Sequence, residues 1–272
     1  MSDEAPQDLT PEPVPSPAPS PAPIETVPVE AAPPPEPERY PFWTYTDLLL
    51  VAGMTLPCMA FGILLVKGVL LGLRLHPKLM VVELLPAQLL GYIFIVVTMT
   101  VMFRIQYDHG FWQSLAWRPS RVPVFWIVIS GIATAVGVAM AASLLKTPQT
   151  SNPMTDMMQD RTSLILLAIF GIGIAPVAEE LAFRGFLQPL LVRSFGTVVG
   201  ILGAAIPFGI LHFHEYGDSW RHAVVISLAG AGFGAMRQAT GSTRAAAAMH
   251  ASYNGFLFLA LFISRKDLPH LW

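Results

Sequence analysis

The sequence predicts an all-α, polytopic transmembrane helical bundle of about seven to eight membrane-embedded helices behind a disordered, Pro-rich N-terminal tail. Three observations predict it. Of 272 residues, 53% are hydrophobic and only 12% charged, against about 25% charged in an ordinary soluble domain. The mean hydropathy is +0.55 even with a polar tail averaged in. From Trp43 onward, apolar runs long enough to cross about 30 Å of hydrocarbon, which takes about 20 helical residues, follow one another with short polar breaks.

Taking the elements in order, residues 1–41 hold fourteen of the 25 prolines and eight acidic residues against the single Arg39. Such a segment has nothing to bury and is expected to be a disordered or polyproline II-like tether. It lacks the basic and apolar regions of a secretory signal. Seven apolar runs then span approximately 44–66, 80–103, 122–145, 163–190, 196–213, 222–239 and 244–264. The partly apolar stretch 67–79 leaves room for an eighth embedded segment. Trp43, Trp112, Trp117, Trp126 and Trp220 fall near run ends, where amphipathic rings favour the headgroup region. Gly68-x-x-x-Gly72 and Gly230-Ala-Gly-Phe-Gly234 read as close-packing helix faces. Lys and Arg divide almost evenly between alternate loops, so the positive-inside rule does not orient the chain.

Net charge is −2, but outside the tail 15 basic residues face 10 acidic ones. No extended basic cluster suggests nucleic acid. Cys58 is the only cysteine, which excludes an intrachain disulfide and a cysteine-based metal site.

A charged side chain inside such a run is costly unless it faces a protein interior or water cavity, so ionisable groups there are functional candidates. The first group is Ala175-Pro-Val-Ala-Glu179-Glu180-Leu-Ala-Phe-Arg184-Gly185. Adjacent helical residues point about 100° apart, so Glu180 and Arg184, at i and i+4, can pair while Glu179 faces elsewhere. A free carboxylate in a poorly solvated cavity suits a general base. The second is His212, closing an apolar run after Phe208; His214 and Glu215 read as interfacial. The third is the His250-x-x-x-Asn254 pair, one helix face that could donate two hydrogen bonds to one oxyanion or simply join two helices. Glu83 lacks a partner within sequence reach and reads as structural or interfacial.

Together these residues match what peptide hydrolysis needs: a positioned water, a base, and donors aimed at the developing oxyanion. No Gly-x-Ser-x-Gly or His-Glu-x-x-His motif is present, nor are paired aspartates within the apolar runs, which disfavours serine, zincin-type and aspartyl mechanisms.

In order, Glu179-Glu180-x-x-x-Arg184, Phe208-x-x-x-His212 and His250-x-x-x-Asn254 resemble the three signature motifs of the CAAX prenyl protease and bacteriocin-processing (abortive-infection) family. The resemblance covers roughly residues 163–264. It implies an intramembrane endopeptidase in which Glu179 and His212 activate a water, His250 and Asn254 form the oxyanion site, and Glu180 and Arg184 support it. The expected division of the chain is a tail (1–41), N-terminal transmembrane helices (42–145) and the catalytic transmembrane helices that carry the three motifs (146–272). The reading favours no required cofactor; zinc is the alternative, with Glu179, His212 and His250 as ligands and one open position.

The expected partners are the lipid bilayer and a membrane-associated peptide or protein substrate, and the expected place is multi-pass in the cell membrane of a bacterium. In that setting a membrane protein or exported peptide is a better substrate than a prenylated protein. Two readings compete: a non-catalytic membrane adaptor or bacteriocin-immunity protein that keeps these residues for folding, and a transporter using Glu179 as proton relay. No internal repeat supports the transporter.

Overall fold

A computed structural model describes residues 39–148 and 156–264. The tail expectation for residues 1–41 lies outside the described residues up to position 38. The described chain is helical throughout its regular structure: α1 (Tyr45–Gly72), α2 (Val81–Tyr107), the short α3 (Phe111–Ser114), α4 (Val124–Leu144), α5 (Arg161–Phe195), α6 (Thr197–Leu211), α7 (Trp220–Thr240) and α8 (Thr243–Ser264). The seven longer helices correspond one to one to the seven apolar runs.

Five of them, α1, α2, α4, α5 and α8, are long and apolar enough to cross a membrane; α6 has only 15 residues. No separate helix occupies 67–79. Instead α1 continues to Gly72, and the chain turns through residues 73–80 into α2.

Helix α5 positions the site. Its 35 residues span about 52 Å at 1.5 Å per residue, which places Glu179 near mid-length. Asp160 caps it, its carboxylate accepting from Ser163 N at 2.7 Å; these hydrogen bonds hold the carboxyl below its ordinary range. The helix widens twice into π turns, at Phe170–Ile174 and Leu181–Leu187. Each widening has a proline at or just beyond its C-terminal side. Pro176 cannot donate to Ile172 O, and Pro189 cannot donate to Gly185 O, so the regular ladder must loosen there. Side chains from other elements use carbonyls of these loosened turns. Asn254 donates to Gly171 O at 2.6 Å, and Trp43 Nε1 donates to Phe186 O at 3.1 Å.

Trp43 corrects the expectation of an interfacial ring. It is fully buried, stacked on Phe186 with centroids 5.4 Å apart and packed with Phe103 in an aromatic core. Trp112, Trp126 and Trp220 are exposed at helix ends. The two glycine motifs also part company. Side chains added at Gly68 or Gly72 would meet open space, so that motif packs against nothing among the described residues, whereas on α7 they would strike Arg184 and Phe208 at Gly230 and Gln188 at Gly234. The α7 glycines therefore clear room for polar side chains of α5. Glu83 gains a partner invisible in its own run, Lys67 of α1, at 3.4 Å; a pair this exposed contributes about 0–1 kcal/mol.

Candidate active site

Both motif acids lie on the six-residue α turn Ala175–Glu180 between the π turns. Their surroundings differ completely. Glu180 is fully buried, and its Oε1 accepts from Arg184 Nη1 at 2.8 Å and faces His250 Nδ1 at 3.0 Å. Arg184, also fully buried, extends its other amino group to Gly230 O of α7 at 2.6 Å. Its guanidinium lies over the Phe208 ring, 4.7 Å from the centroid. The Glu180–Arg184 pair expected from i,i+4 spacing thus also binds α7 and α8 to α5.

Glu179 lies on the other side, 18% exposed, in the wall of a cavity of about 660 Å³. The same cavity is lined by His212, His250 and Asn254. Glu180 and Arg184 stand behind it. Glu179 Oε1 accepts from the Tyr92 hydroxyl at 3.2 Å, and Tyr92 in turn accepts from Gln88 at 2.8 Å, both residues on α2. Glu179 Oε2 is 3.9 Å from His250 Nε2. One water oxygen could hydrogen-bond both atoms at about 2.8 Å.

The two imidazoles are oriented in similar ways. His212 ends α6, where the Phe208 carbonyl is left without a helical amide partner and meets His212 Nδ1 at 2.8 Å. A carbonyl only accepts, so Nδ1 carries the proton and Nε2 of the neutral ring is free to accept. His250 stacks on Phe233, centroids 4.3 Å apart and 17° between planes. Its Nδ1 faces the carboxylate of Glu180, which leaves Nε2 toward Glu179.

The structure adds three residues that the sequence reading did not assign to the site. Tyr92 and Gln88 carry no charge, and their i,i+4 polar spacing inside an apolar run is the only mark they leave in the sequence. Glu215, read as interfacial, lines the cavity with Oε2 4.0 Å from His212 Nε2. Burial pushes its carboxyl above the ordinary range, opposed by His212 and reinforced by Glu179. His214 also lines the cavity, and its Nδ1 meets Asp218 at 2.5 Å. Asn254 spends one amide proton on Gly171 O, so one N–H remains for any ligand.

A zinc site would need several donors converging at about 2.0–2.2 Å. Among the described residues, no group of three His, Cys, Asp or Glu is arranged to hold a metal ion. The engaged Nδ1 atoms leave both Nε2 atoms available to a metal, but the Nε2 of His212 faces Glu215 Oε2 at 4.0 Å while that of His250 faces Glu179 Oε2 at 3.9 Å. As placed, Glu179, His212 and His250 do not fit the ion.

No curated protein and no solved structure gives a significant match to the chain. Residues 161–256 match the family model described as type II CAAX prenyl endopeptidase Rce1-like. That span runs from the start of α5 to Phe256 on α8 and contains all six motif residues. Through this segment, about a third of the chain, the protein is similar to the Rce1-like type II CAAX prenyl endopeptidases.

Proposed function

We propose that this protein is an intramembrane endopeptidase using Glu179 as general base, without a required metal. The observation that carries the reading is the convergence of Glu179, His212, His250 and Asn254 on one cavity, with the Glu180–Arg184 pair buried behind it. A water bound to Glu179 gives up a proton to that carboxylate while His212 Nε2 accepts from its second O–H. The hydroxide oxygen attacks the scissile carbonyl carbon. His250, held at Nδ1 by Glu180, donates through Nε2 to the resulting oxyanion, and Asn254 donates its remaining amide proton. Glu179 returns the proton to the leaving nitrogen as the C–N bond breaks, releasing an acid and an amine.

Tyr92 and Gln88 fix the base from α2. Met59, Ile63 and Leu84 on one side and Leu257, Phe258 and Leu261 on the other give the cavity apolar walls. Such walls suit a substrate segment delivered from the bilayer, so a membrane protein or exported peptide of a bacterial cell is the proposed substrate class. In this reading 146–272 is the catalytic part and 42–145 supplies the opposing wall.

Crosslinking in native membranes tests the function. A Glu179→Gln variant should retain a peptide or protein that the parent releases cut. If the parent releases no cleaved product and both retain the same intact partner, the chain is the non-catalytic adaptor, for which the helix-joining hydrogen bonds of His250 and Asn254 would suffice. Gently purified, active protein should contain well under one zinc per chain; stoichiometric zinc lost together with activity in His212→Ala would contradict the metal-free step.

A further inference from the structure

The bundle end that holds the start of α1 and the end of α7 is built from arginine. Among the described residues, the segments 39–47, 104–124, 188–197 and 237–244 contain seven arginines, no lysine and two aspartates. Both aspartates are engaged: Asp108 with Arg104 at 3.2 Å, and Asp47 with Thr44 and with the Tyr107 hydroxyl at 2.5 Å.

Arg237 is the unusual member. It is only 7% exposed, and its hydrogen bonds run to neutral oxygens, Thr243 Oγ1 at 3.1 Å and Tyr40 Oη at 3.0 Å. Arg118 donates to Gly241 O at 3.0 Å, and Arg193 donates to the carbonyls of Pro41 and Trp43. Among the described residues none of the three is paired with a carboxylate. The C-terminal dipole of α7 offers Arg237 about half an elementary negative charge, too little for three guanidinium groups, and α8 starts at the same end with the opposite partial charge. A buried cation without a counter-ion costs several kcal/mol. Beside it lies a cavity of about 290 Å³ lined by Tyr40, Gln188, Arg193, Arg237 and Gly241.

We propose that this cavity is a binding site for a phosphate-bearing anion, held by Arg237 and Arg193 with Arg118 at its edge. Planar guanidinium groups match phosphate oxygens bidentately, which the all-arginine composition favours over lysine. The site lies where helices end, at the depth of lipid headgroups, so the phosphate of an anionic phospholipid is the source that geometry favours. The site is remote from Glu179 and independent of the peptidase reading.

The test uses the full chain in nanodiscs of phosphatidylcholine, with or without phosphatidylglycerol, read by native mass spectrometry and thermal melting. The parent should retain phosphatidylglycerol in preference to phosphatidylcholine and melt higher with it. In Arg193→Gln, whose side chain is exposed, the affinity should fall about tenfold, the loss of one charge-assisted contact. In Arg193→Gln combined with Arg237→Gln the preference should vanish, while Lys67→Gln at the opposite end should leave it unchanged. Inorganic phosphate added to phosphatidylcholine discs separates the sources: protection at millimolar phosphate equal to that by phosphatidylglycerol assigns the site to a soluble anion. Equal lipid retention by parent and Arg193→Gln, or no effect of either anion on the parent, would overturn the proposal. Arg193→Gln keeps the test valid even where loss of Arg237 impairs folding.

Discussion

Glu179 and Glu180 are consecutive residues of one helix, yet one borders a cavity and the other is sealed in protein. Glu180 is fully buried, holds Arg184 and His250 through a single oxygen, and so ties α5 to α7 and α8. Glu179 is partly exposed, with a neutral tyrosine and an imidazole edge for neighbours. The difference comes from the roughly 100° rotation between successive helical residues and from π turns on either side that present each acid to its own surroundings. It shows how a buried ion pair can position an imidazole: Glu180 orients His250, and His250 then faces the partly exposed acid.

The comparison can be broken at either side. The largest expected effect is on the sealed side. Arg184→Ala leaves Glu180 buried without its cation and should cost about 3–5 kcal/mol of stability, seen as a large fall in melting temperature in detergent. Near-parental melting would mean that the Glu180 lock does not hold the bundle. A smaller effect is expected on the open side. Tyr92→Phe removes one hydrogen bond to Glu179 and should lower kcat/KM by about tenfold or less with melting unchanged; a fall in melting with full activity would make Tyr92 a packing residue.

The smallest effect concerns pH. Burial raises the Glu215 carboxyl, so the folded protein keeps that proton to higher pH than the unfolded chain does. Stability should therefore fall as pH rises from the ordinary carboxylate range through the raised value. Glu215→Gln should remove that part of the slope. The change is modest because the side chain is 46% exposed. An unaltered slope would show that Glu215 does not sense the cavity.

The seven long helices were legible because lipid demands continuous apolar runs. The motif residues were legible because ionisable groups are conspicuous in such runs. What was hidden depends on tertiary contact. The Glu180–His250 hydrogen bond joins residues 70 apart, and nothing in the third motif alone says that His250 Nδ1 is committed. Tyr92 and Gln88 carry no charge to draw attention. Trp43 sits at a run end, as an interfacial ring would, but folds inward because Phe186 O, in a π turn, accepts its indole N–H. Gly68-x-x-x-Gly72 has the spacing of a packing motif, yet none of the described helices lies against it.

The claim that neighbouring acids divide chemistry from architecture is tested most directly by measuring cleavage and thermal unfolding side by side for Glu179→Gln and Glu180→Gln. Glu179→Gln should fold like the parent and lose about 10²–10⁴-fold in rate, the range for a general base. Glu180→Gln should melt well below the parent. Equal melting losses in both variants, or parental cleavage by folded Glu179→Gln, would contradict the account.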